Sequence, residues 1–466
     1  LGQLESEAGD SKEPDPAQDL IMEEDLAKNQ YPAAKIGAEK EKLAAGKKVS
    51  HMMEFITPEM FEKYKNMDSG GAGKWTIARA INTGVQHPLS IMGIHVGDPE
   101  SYDTFIDIFK PCVEKYHTGF TWDEAHAHRT DLDVDHVKED LTEVAKGMIV
   151  SSRIRVARNL AAPFVMNPNG TGETRKAVLD MVRKCVEKFP PELAGKVYAH
   201  AEMTPEEEKK LIDDHILFKG RDIRQAASGY HMYWPEGRGV FCNEDKTFNM
   251  WINEGDHLRI MCLFQGGDIK GVLRKLAKGI QTMESAITEV TGNASPIAMH
   301  PILGVVTCCP TNLGTGCRAS VMMELPRLLK KLGLHGIDEV CAKNHCQARG
   351  STGEFSEVTE SACIDVSNRY RLGYSEAELI GQMIRTANLL GQLESEAGDS
   401  KEPDPAQDLI MEEDLAKNQY PAAKIGAEKE KLAAGKKVSH MMEFITPEMF
   451  EKYKNMDSGG AGKWTI

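Results

Sequence analysis

The spacing of apolar residues changes along the chain and divides it into a helical part and a mixed part. From about residue 51, apolar residues recur at helical intervals, and the Thr-Pro-Glu sequence at 57–59 is a typical helix start. The helical pattern continues to about residue 121, and a polar, histidine-rich connection follows at 123–135. The first part of the folded unit is therefore predicted to be all helical.

Beyond residue 148 the apolar pattern predicts short strands that alternate with helices. Strand patterns occur at 147–155, 239–241, 248–252 and 303–307, and helical patterns occur at 173–189 and 204–217. The predicted strands are separated by turns of hairpin length or by single helices. This order predicts an α+β domain with a mostly antiparallel β-sheet.

A long repeat sets the organisation of the chain. Residues 1–77 recur without a change at 390–466, so the repeating unit is a whole domain or pair of domains rather than a solenoid repeat. The simplest interpretation is a window cut from a tandem array of near-identical units. An error of sequence assembly would leave the same pattern and is the alternative.

The domain boundaries follow from the repeat and from composition. Residues 10–49 and their copy are rich in Glu, Lys, Ala and Pro, which is typical of an interdomain linker. The predicted divisions are the tail of a preceding unit and its linker at 1–49, a helical domain at 50–135, a catalytic α+β domain at 136–395, a linker at 396–438, and the start of the next unit at 439–466.

Composition narrows the class of function. The 466 residues include 56 Lys and Arg against 71 Asp and Glu, and the net charge of −15 opposes non-specific binding to nucleic acid or anionic lipid. The ten cysteines lack a paired zinc-binding pattern and are too sparse for a disulfide framework. This cysteine usage favours a reducing, cytoplasmic compartment. No apolar run long enough to cross a bilayer is found, and no basic region followed by an apolar leader segment.

Arginines are the first candidates for chemistry, because no glycine-rich phosphate loop is present. Arg153 and Arg155 alternate on a predicted strand, so both side chains point to one face of a sheet. Arg259, Arg318 and Arg349 follow turns or open a glycine-rich loop. Clustered guanidinium groups would bind phosphate oxygens, whereas scattered surface arginines in ion pairs are the alternative.

The string Cys-Pro-Thr-Asn-Leu-Gly-Thr-Gly-Cys-Arg-Ala-Ser at 309–320 resembles the signature of the phosphagen (guanidino) kinases. The resemblance extends in order over about 50–395 and includes Ser-Ser-Arg-Ile-Arg at 151–155, Asn-Glu-Gly-Asp-His-Leu-Arg at 253–259 and Arg-Gly-Ser-Thr-Gly-Glu at 349–354. It implies a small helical domain, a larger domain with an antiparallel sheet flanked by helices, and phosphorylation of a guanidino compound by ATP with Mg²⁺.

The resemblance also implies roles for individual residues. It places on the nucleotide the residues Arg153, Arg155, His215, Arg259, Arg318 and Arg349. It places at the reacting groups Cys309, Glu254, Glu354 and Arg259, and on the guanidino substrate Ser90, Gly93, His95, Cys309 and Glu354. We expect neighbouring arginines to depress the pKa of the Cys309 thiol, and we expect segment 350–360 to be mobile without ligand. A metal site at Cys341, His345 and Cys346 lacks a fourth ligand.

Two departures from the family pattern affect the expected activity. Gly255 stands where the family carries the second of two successive glutamates, and Met322 stands where relatives usually have a histidine near the nucleotide. Loss of a general base would reduce the rate by roughly 10²–10⁴-fold. An active kinase is therefore expected, and the alternative is a catalytically weakened module in a structural array whose neighbouring units pair like subunits.

The loop at 84–98 bears on the choice of guanidine. Its length resembles that of arginine kinases, which together with Glu354 favours arginine over creatine. His95, however, occupies the place of a tyrosine in arginine kinases, and taurocyamine kinases resemble this chain in having histidine there. Arginine and taurocyamine both remain candidates at this stage, and an anchor outside this stretch, flagellar or other, is compatible with it.

Overall fold

The computed structural model describes residues 41, 49–218, 223–350 and 362–399. The chain divides into two units, Leu1–Ser395 and Glu396–Ile466. The copied edge at 439–466 lies outside the described residues, and the fold given below is that of the first unit.

The N-terminal domain is all helical in the residues described. Its helices are α1 (His51–Phe55), α2 (Pro58–Tyr64), α3 (Ile77–Gln86), α4 (Ser101–Thr104) and α5 (Ile106–Tyr116). Thr57 caps α2 by accepting a hydrogen bond from the Met60 N–H, which satisfies one of the free donors of the first turn. Pro58 opens the helix, as the sequence predicted.

The larger domain is built on an eight-stranded sheet in which every pairing is antiparallel. Its strands are β1 (Ile149–Arg158), β2 (Gly195–Ala199), β3 (Gly239–Asn243), β4 (Phe248–Ile252), β5 (Leu258–Gln265), β8 (Cys317–Glu324), β9 (Cys346–Gly350) and β10 (Cys363–Asn368). The order across the sheet is β2-β3-β4-β5-β1-β8-β10-β9. A second sheet pairs β6 (Met299–His300) with β7 (Gly304–Val305).

Helices flank the large sheet, and one face of the sheet packs against a 23-residue helix. The helices are α6 (Glu143–Met148), α7 (Gly172–Val186), α8 (Pro205–Asp213), α9 (Ile223–Ala227), α10 (Ile269–Thr291), α11 (Pro326–Ala342) and α12 (Glu376–Asp399). Ile154 and Val156 of β1 and Ile260 of β5 are buried in one core with Leu276 of α10. The residues that alternate with them point to the opposite face, which is the face of the candidate site.

The two domains share a second core, which places the helical domain beside the 309–320 string. Trp75 and Phe105 of the helical domain lie in one apolar cluster with Cys308 and Leu313. The Tyr102 hydroxyl donates a hydrogen bond to the Thr307 carbonyl at 2.9 Å, and Val96 N–H donates to the Cys308 carbonyl at 2.9 Å. The helical domain is thus fixed against the segment that leads into the signature.

The predicted fold class is confirmed: a helical domain precedes an α+β domain with an antiparallel sheet. One predicted boundary is wrong by two residues. Residues 147–148 were predicted to begin β1, but they form the end of α6, which starts at its cap Thr142. The Thr142 cap and the helical run that follows it outweigh the strand preference of the adjoining apolar residues.

A buried histidine ties the 253–259 motif to the loop after β1. His257 accepts a hydrogen bond from Leu160 N–H at Nδ1, at 3.0 Å, so its Nε2 carries the proton donated to the Val165 carbonyl at 2.9 Å. Burial lowers the pKa of His257 to about 4. The neutral ring is therefore part of the folded structure.

We predict that His257 makes stability depend on pH. Its pKa is depressed in the folded chain, so the unfolded chain binds the extra proton, and stability present above about pH 6.5 is lost as the pH falls toward 4. Between pH 7.5 and 5 the loss from this group is about 2 kcal/mol. Denaturant unfolding of His257→Gln should show that much less pH dependence than the unaltered chain. The same substitution at the exposed His335 should not, and equal slopes in all three would contradict the prediction.

Candidate active site

Strand register places the arginines side by side on one face of the sheet. Arg155 of β1 lies directly opposite Arg318 of β8, and Arg153 lies opposite Ser320. On the other side of β1, Arg259 of β5 lies opposite Ala157, which shares a face with Arg153 and Arg155. The predicted clustering of these side chains follows from the alternation of the strands.

Arg153, Arg155 and Arg318 line an open cavity of about 330 Å³. Its lining residues are Ser151, Arg153, Arg155, Leu263, Arg318, Ser320, Met322, Arg349, Gly350 and Asp365. Met322, the residue that departs from the family pattern, therefore faces the cavity. Arg349 lies on β9, the strand at one edge of the sheet, and its Nη2 donates a hydrogen bond to Gln347 Oε1 at 3.1 Å.

The arginine face carries more positive charge than the neighbouring carboxylates balance. Arg318 pairs closely with Asp365, while in the described part of the chain neither Arg153 nor Arg155 forms an ion pair. Burial first, and then the charges of Arg259 and Arg318, hold the pKa of Arg155 well below its usual range. Such a face is built to receive a multivalent anion.

Arg371 extends the charged face toward Cys309, although the sequence analysis gave it no role. Its Nη1 donates to the Thr311 carbonyl at 2.6 Å, and its Nε is buried without a partner among the described residues. Burial lowers the pKa of Arg371, and the nearby Arg318 adds to the shift. The signal was present, since Arg371-Leu-Gly belongs to the strings that carry the resemblance.

Cys309 is the half-buried member of the ten cysteines, and the other nine are buried. Its Sγ lies 3.2 Å from Thr311 Oγ1. Cys308 is buried in the core, and its N–H donates a hydrogen bond to Asp256 Oδ1 at 2.7 Å. His117 of the helical domain fixes the same segment through the Pro310 carbonyl at 2.9 Å.

The expected depression of the Cys309 pKa is wrong for the protein without ligands. Burial raises the pKa of the Cys309 thiol, and hydrogen bonds to Thr311 oppose this shift only in part. Arg371 also opposes it, but more weakly. Desolvation of the thiol therefore outweighs the positive charges nearby.

Glu254 joins the thiol side of the site to the arginine face. Its Oε2 lies 3.1 Å from Arg259 Nη2, and its Oε1 accepts a hydrogen bond from Gln225 Nε2 at 3.1 Å. Burial raises the pKa of this carboxyl, but Arg259 and the Gly255 N–H together outweigh burial and bring the pKa below its ordinary value. Glu254 is thus held as a carboxylate.

The 84–98 loop presents the predicted substrate residues from the helical domain. Gly93 has a φ of 75°, and a Cβ there would lie 2.5 Å from Ser50 Oγ, so glycine is required. His95 is buried, with Nδ1 at 3.1 Å from Thr83 Oγ1. Trp75 Nε1 donates to the His95 carbonyl at 3.1 Å. Ser90 Oγ is buried and has no hydrogen-bond partner in the part of the chain described.

Of the predicted site residues within the described part of the chain, Arg153, Arg155, Arg318 and Arg349 are among the lining residues of the arginine cavity, and the others are not. His215 is exposed just after α8 and is not among the lining residues of the arginine cavity. Glu354, with the segment predicted to be mobile, falls in 351–361, outside the described residues. The roles of both stay predictions.

The described residues contain no group of three or more His, Cys, Asp or Glu side chains that could hold a metal ion. Cys341 and Cys346, from the weak metal hypothesis, are both buried cysteines. Within the same residues, no helix has the length and apolar character needed to cross a membrane.

A helical domain docked on an antiparallel sheet with a half-buried arginine face defines a class of phosphotransferase. The N-terminal domain model of the ATP:guanido phosphotransferases matches residues 46–114, and the model of their C-terminal catalytic domain matches 177–397. An arginine kinase of Stichopus japonicus is 35% identical over 354 residues, which cover 75% of this chain and 92% of that kinase. The chain belongs to the ATP:guanido phosphotransferase family, the phosphagen kinases.

Solved structures agree with this assignment. The chain is similar to a lombricine kinase with a TM-score of 0.69 and 28% sequence identity, over 75% of this chain and 94% of that chain. It is also similar to the substrate-free duplicated taurocyamine kinase from Schistosoma mansoni, with a TM-score of 0.67 and 28% identity, over 87% of this chain and 54% of that chain.

Two arginines of β1, the half-buried Arg155 and the buried Arg158, provide a matched test of the anion site. We predict that Arg155→Gln stabilises the protein without ligand by about 1–2 kcal/mol, because it removes an unbalanced charge, and weakens MgADP binding roughly 10- to 100-fold. Arg158→Gln should instead destabilise the protein, because Arg158 donates to the Thr315 carbonyl at 2.8 Å from within the core. Calorimetric unfolding and ADP titration of both variants give the measurement. Destabilisation by both would count against an anion site.

The adjacent cysteines provide a second pair. We predict that iodoacetamide alkylates Cys309 and spares Cys308, and that the rate rises with pH above neutrality, because the Cys309 thiol has a raised pKa. Mass spectrometry of the peptide at several pH values gives the rates. Cys308→Ala should leave the rate unchanged, and modification that is already complete and independent of pH at pH 7 would contradict the raised pKa.

Proposed function

We propose that the chain transfers the γ-phosphoryl group of MgATP reversibly to a guanidino compound, with arginine as the main substrate. The observation that carries the proposal is the half-buried, charge-unbalanced arginine face that adjoins Cys309 and Glu254. Phosphoryl transfer is catalysed mainly by alignment and by neutralising charge on the moving group. The site offers both.

The nucleotide end of the site is assigned to the arginines. Arg153, Arg155, Arg318 and Arg349 line the cavity, and Arg259 adjoins it on β5. Their guanidinium groups would hold the phosphate oxygens of ATP. Arg318 Nε is buried and has no hydrogen-bond partner among the described residues, so this donor is not yet used. Magnesium would enter with the phosphates and neutralise part of their charge.

The guanidino end is assigned to Glu254 and Cys309. A guanidinium group has a pKa above about 12 and is a poor nucleophile, so it must be oriented and relieved of a proton as it attacks. Glu254 is ionised and rigidly held, so it can orient one nitrogen in line with the γ-phosphorus. On the family resemblance, Glu354 would add a second carboxylate. Glu354 lies outside the described residues, so this role rests on the resemblance alone.

Arginine is preferred as substrate on the similarity to arginine kinases and on the length of the 84–98 loop. Taurocyamine is the second candidate, because taurocyamine kinases resemble this chain in having a histidine at the position of His95. The chain is also similar to a duplicated taurocyamine kinase. The contact of His95 with Thr83 supports the plainer interpretation that the ring braces the loop.

A tandem arrangement remains part of the proposal. Residues 390–399 form the end of α12, where Leu390 is buried, and the same sequence recurs at 1–10, outside the described residues. The proposed boundaries stay at 50–135 and 136–395, and adjacent units would pair like subunits. A cytoplasmic location is proposed because all ten cysteine thiols are free.

The direct test is phosphorus NMR of the full chain with MgATP and, separately, arginine, taurocyamine, glycocyamine and creatine. We predict a new phosphoguanidine signal, strongest with arginine, and loss of at least 100-fold in rate with Arg318→Gln. His95→Tyr should lower any activity on taurocyamine relative to arginine. ADP formation with no phosphoguanidine from any of the four compounds would refute the proposal and favour a nucleotide-binding module.

A further inference from the structure

Gly255 is not required by its backbone. Its φ lies outside the left-handed region, so a residue with a side chain could adopt the same conformation. The restriction comes from a single ring: a Cβ on Gly255 would lie 3.1 Å from Tyr230 Cε2 and 3.5 Å from Tyr230 Cδ2. Tyr230 therefore occupies the space into which the family's second glutamate would extend.

Tyr230 is held firmly in that place. Its ring is buried and lies edge to face against His95, with centroids 5.5 Å apart and an interplanar angle of 80°. Its backbone N–H donates to the Gln225 carbonyl at 3.0 Å, and its carbonyl accepts from Arg238. Gln225 also binds Glu254, so the ring and the carboxylate share one support.

The surroundings of Tyr230 place it at the guanidino end of the site. Burial raises the pKa of its hydroxyl well above the ordinary value, and the charges of Cys308, Cys309, Asp256 and Glu254 contribute in turn. His95 contacts the Tyr230 ring, and Glu254 binds the Gln225 that also holds the Tyr230 backbone. Two residues assigned separately to the substrate or its reaction therefore lie beside one side chain that the sequence analysis did not single out.

Aromatic rings bind organic cations through their electron-rich face, and a planar guanidinium suits this contact well. We propose that Tyr230 takes the place of the missing carboxylate as a wall of the guanidino subsite, and that Tyr230 and Gly255 form a coupled pair. The inference rests on the proposed function. It names a specificity-determining residue for the guanidine and explains how the site accommodates Gly255.

If Tyr230 and Gly255 are coupled, a glutamate placed at position 255 without a change at Tyr230 should lower activity. In the full chain, Gly255→Glu should lower kcat/KM for the guanidine about tenfold or more, because the new side chain meets the Tyr230 ring. Adding Tyr230→Leu to Gly255→Glu should raise kcat/KM for the guanidine at least tenfold above that of Gly255→Glu alone. Gains from Gly255→Glu on its own, or strictly additive effects of the two substitutions, would overturn the coupled pair.

The ring itself is tested by separating guanidine binding from nucleotide binding. Tyr230→Leu should raise the guanidine KM about tenfold and leave the ATP KM within about twofold, whereas Tyr230→Phe keeps the ring and should keep both values. Tyr233→Leu, at an exposed tyrosine three residues away, is the matched control. An unchanged guanidine KM in Tyr230→Leu, or an equal rise in both KM values, would overturn the subsite wall.

The pair can be judged even if no guanidine is phosphorylated, which would refute the proposed function alone. Calorimetric titration of arginine into the full chain with MgADP should then show binding that weakens about tenfold in Tyr230→Leu. Thermal unfolding should show that Gly255→Ala costs stability in the unaltered chain and costs less in the Tyr230→Leu background. Absence of arginine binding would overturn the subsite wall, and equal costs of Gly255→Ala in both backgrounds would overturn the coupled pair.

Discussion

Mutual repulsion among arginines held on one face of the β-sheet is the interaction that the rest of the structure has to balance. Arg153 and Arg155 lie half-buried side by side without an ion pair among the described residues, whereas Arg318 and Arg259 have close carboxylate partners. The opposite face supplies the compensating stability, because the alternate residues of the same strands pack against α10. A folded protein that keeps such a face is poised to bind an anion.

The two domains contribute to different parts of the candidate site. The helical domain does not contribute to the arginine face, but it fixes the segment that carries Cys309 through His117 and Tyr102. It also brings His95 against Tyr230. The proposed phosphate end of the site is thus set by strand register, while the proposed guanidino end is set by docking of the helical domain. Changes at the two ends should therefore alter nucleotide and guanidine binding separately.

Sequence periodicity and strand alternation were sufficient to predict the fold class and the clustering of the arginines on one face of the sheet. Alternation on β1 predicted that Arg153 and Arg155 share a face, and the antiparallel register then placed Arg318 opposite. Sequence spacing could not predict the role of Tyr230, because its importance comes from a contact with Gly255 that only the folded chain creates. The sign of the Cys309 pKa shift was also beyond reach, since it depends on how completely the thiol is desolvated.

Titration with MgADP during thermal unfolding tests the central claim most directly, namely that the arginine face is balanced by phosphate. The account predicts that stability rises with ligand concentration, by about 2.7 kcal/mol at a hundredfold excess over the dissociation constant. Adenosine, which offers the same base and sugar without phosphates, should have little effect at equal concentration. Equal stabilisation by adenosine and MgADP, or none by either, would contradict the account.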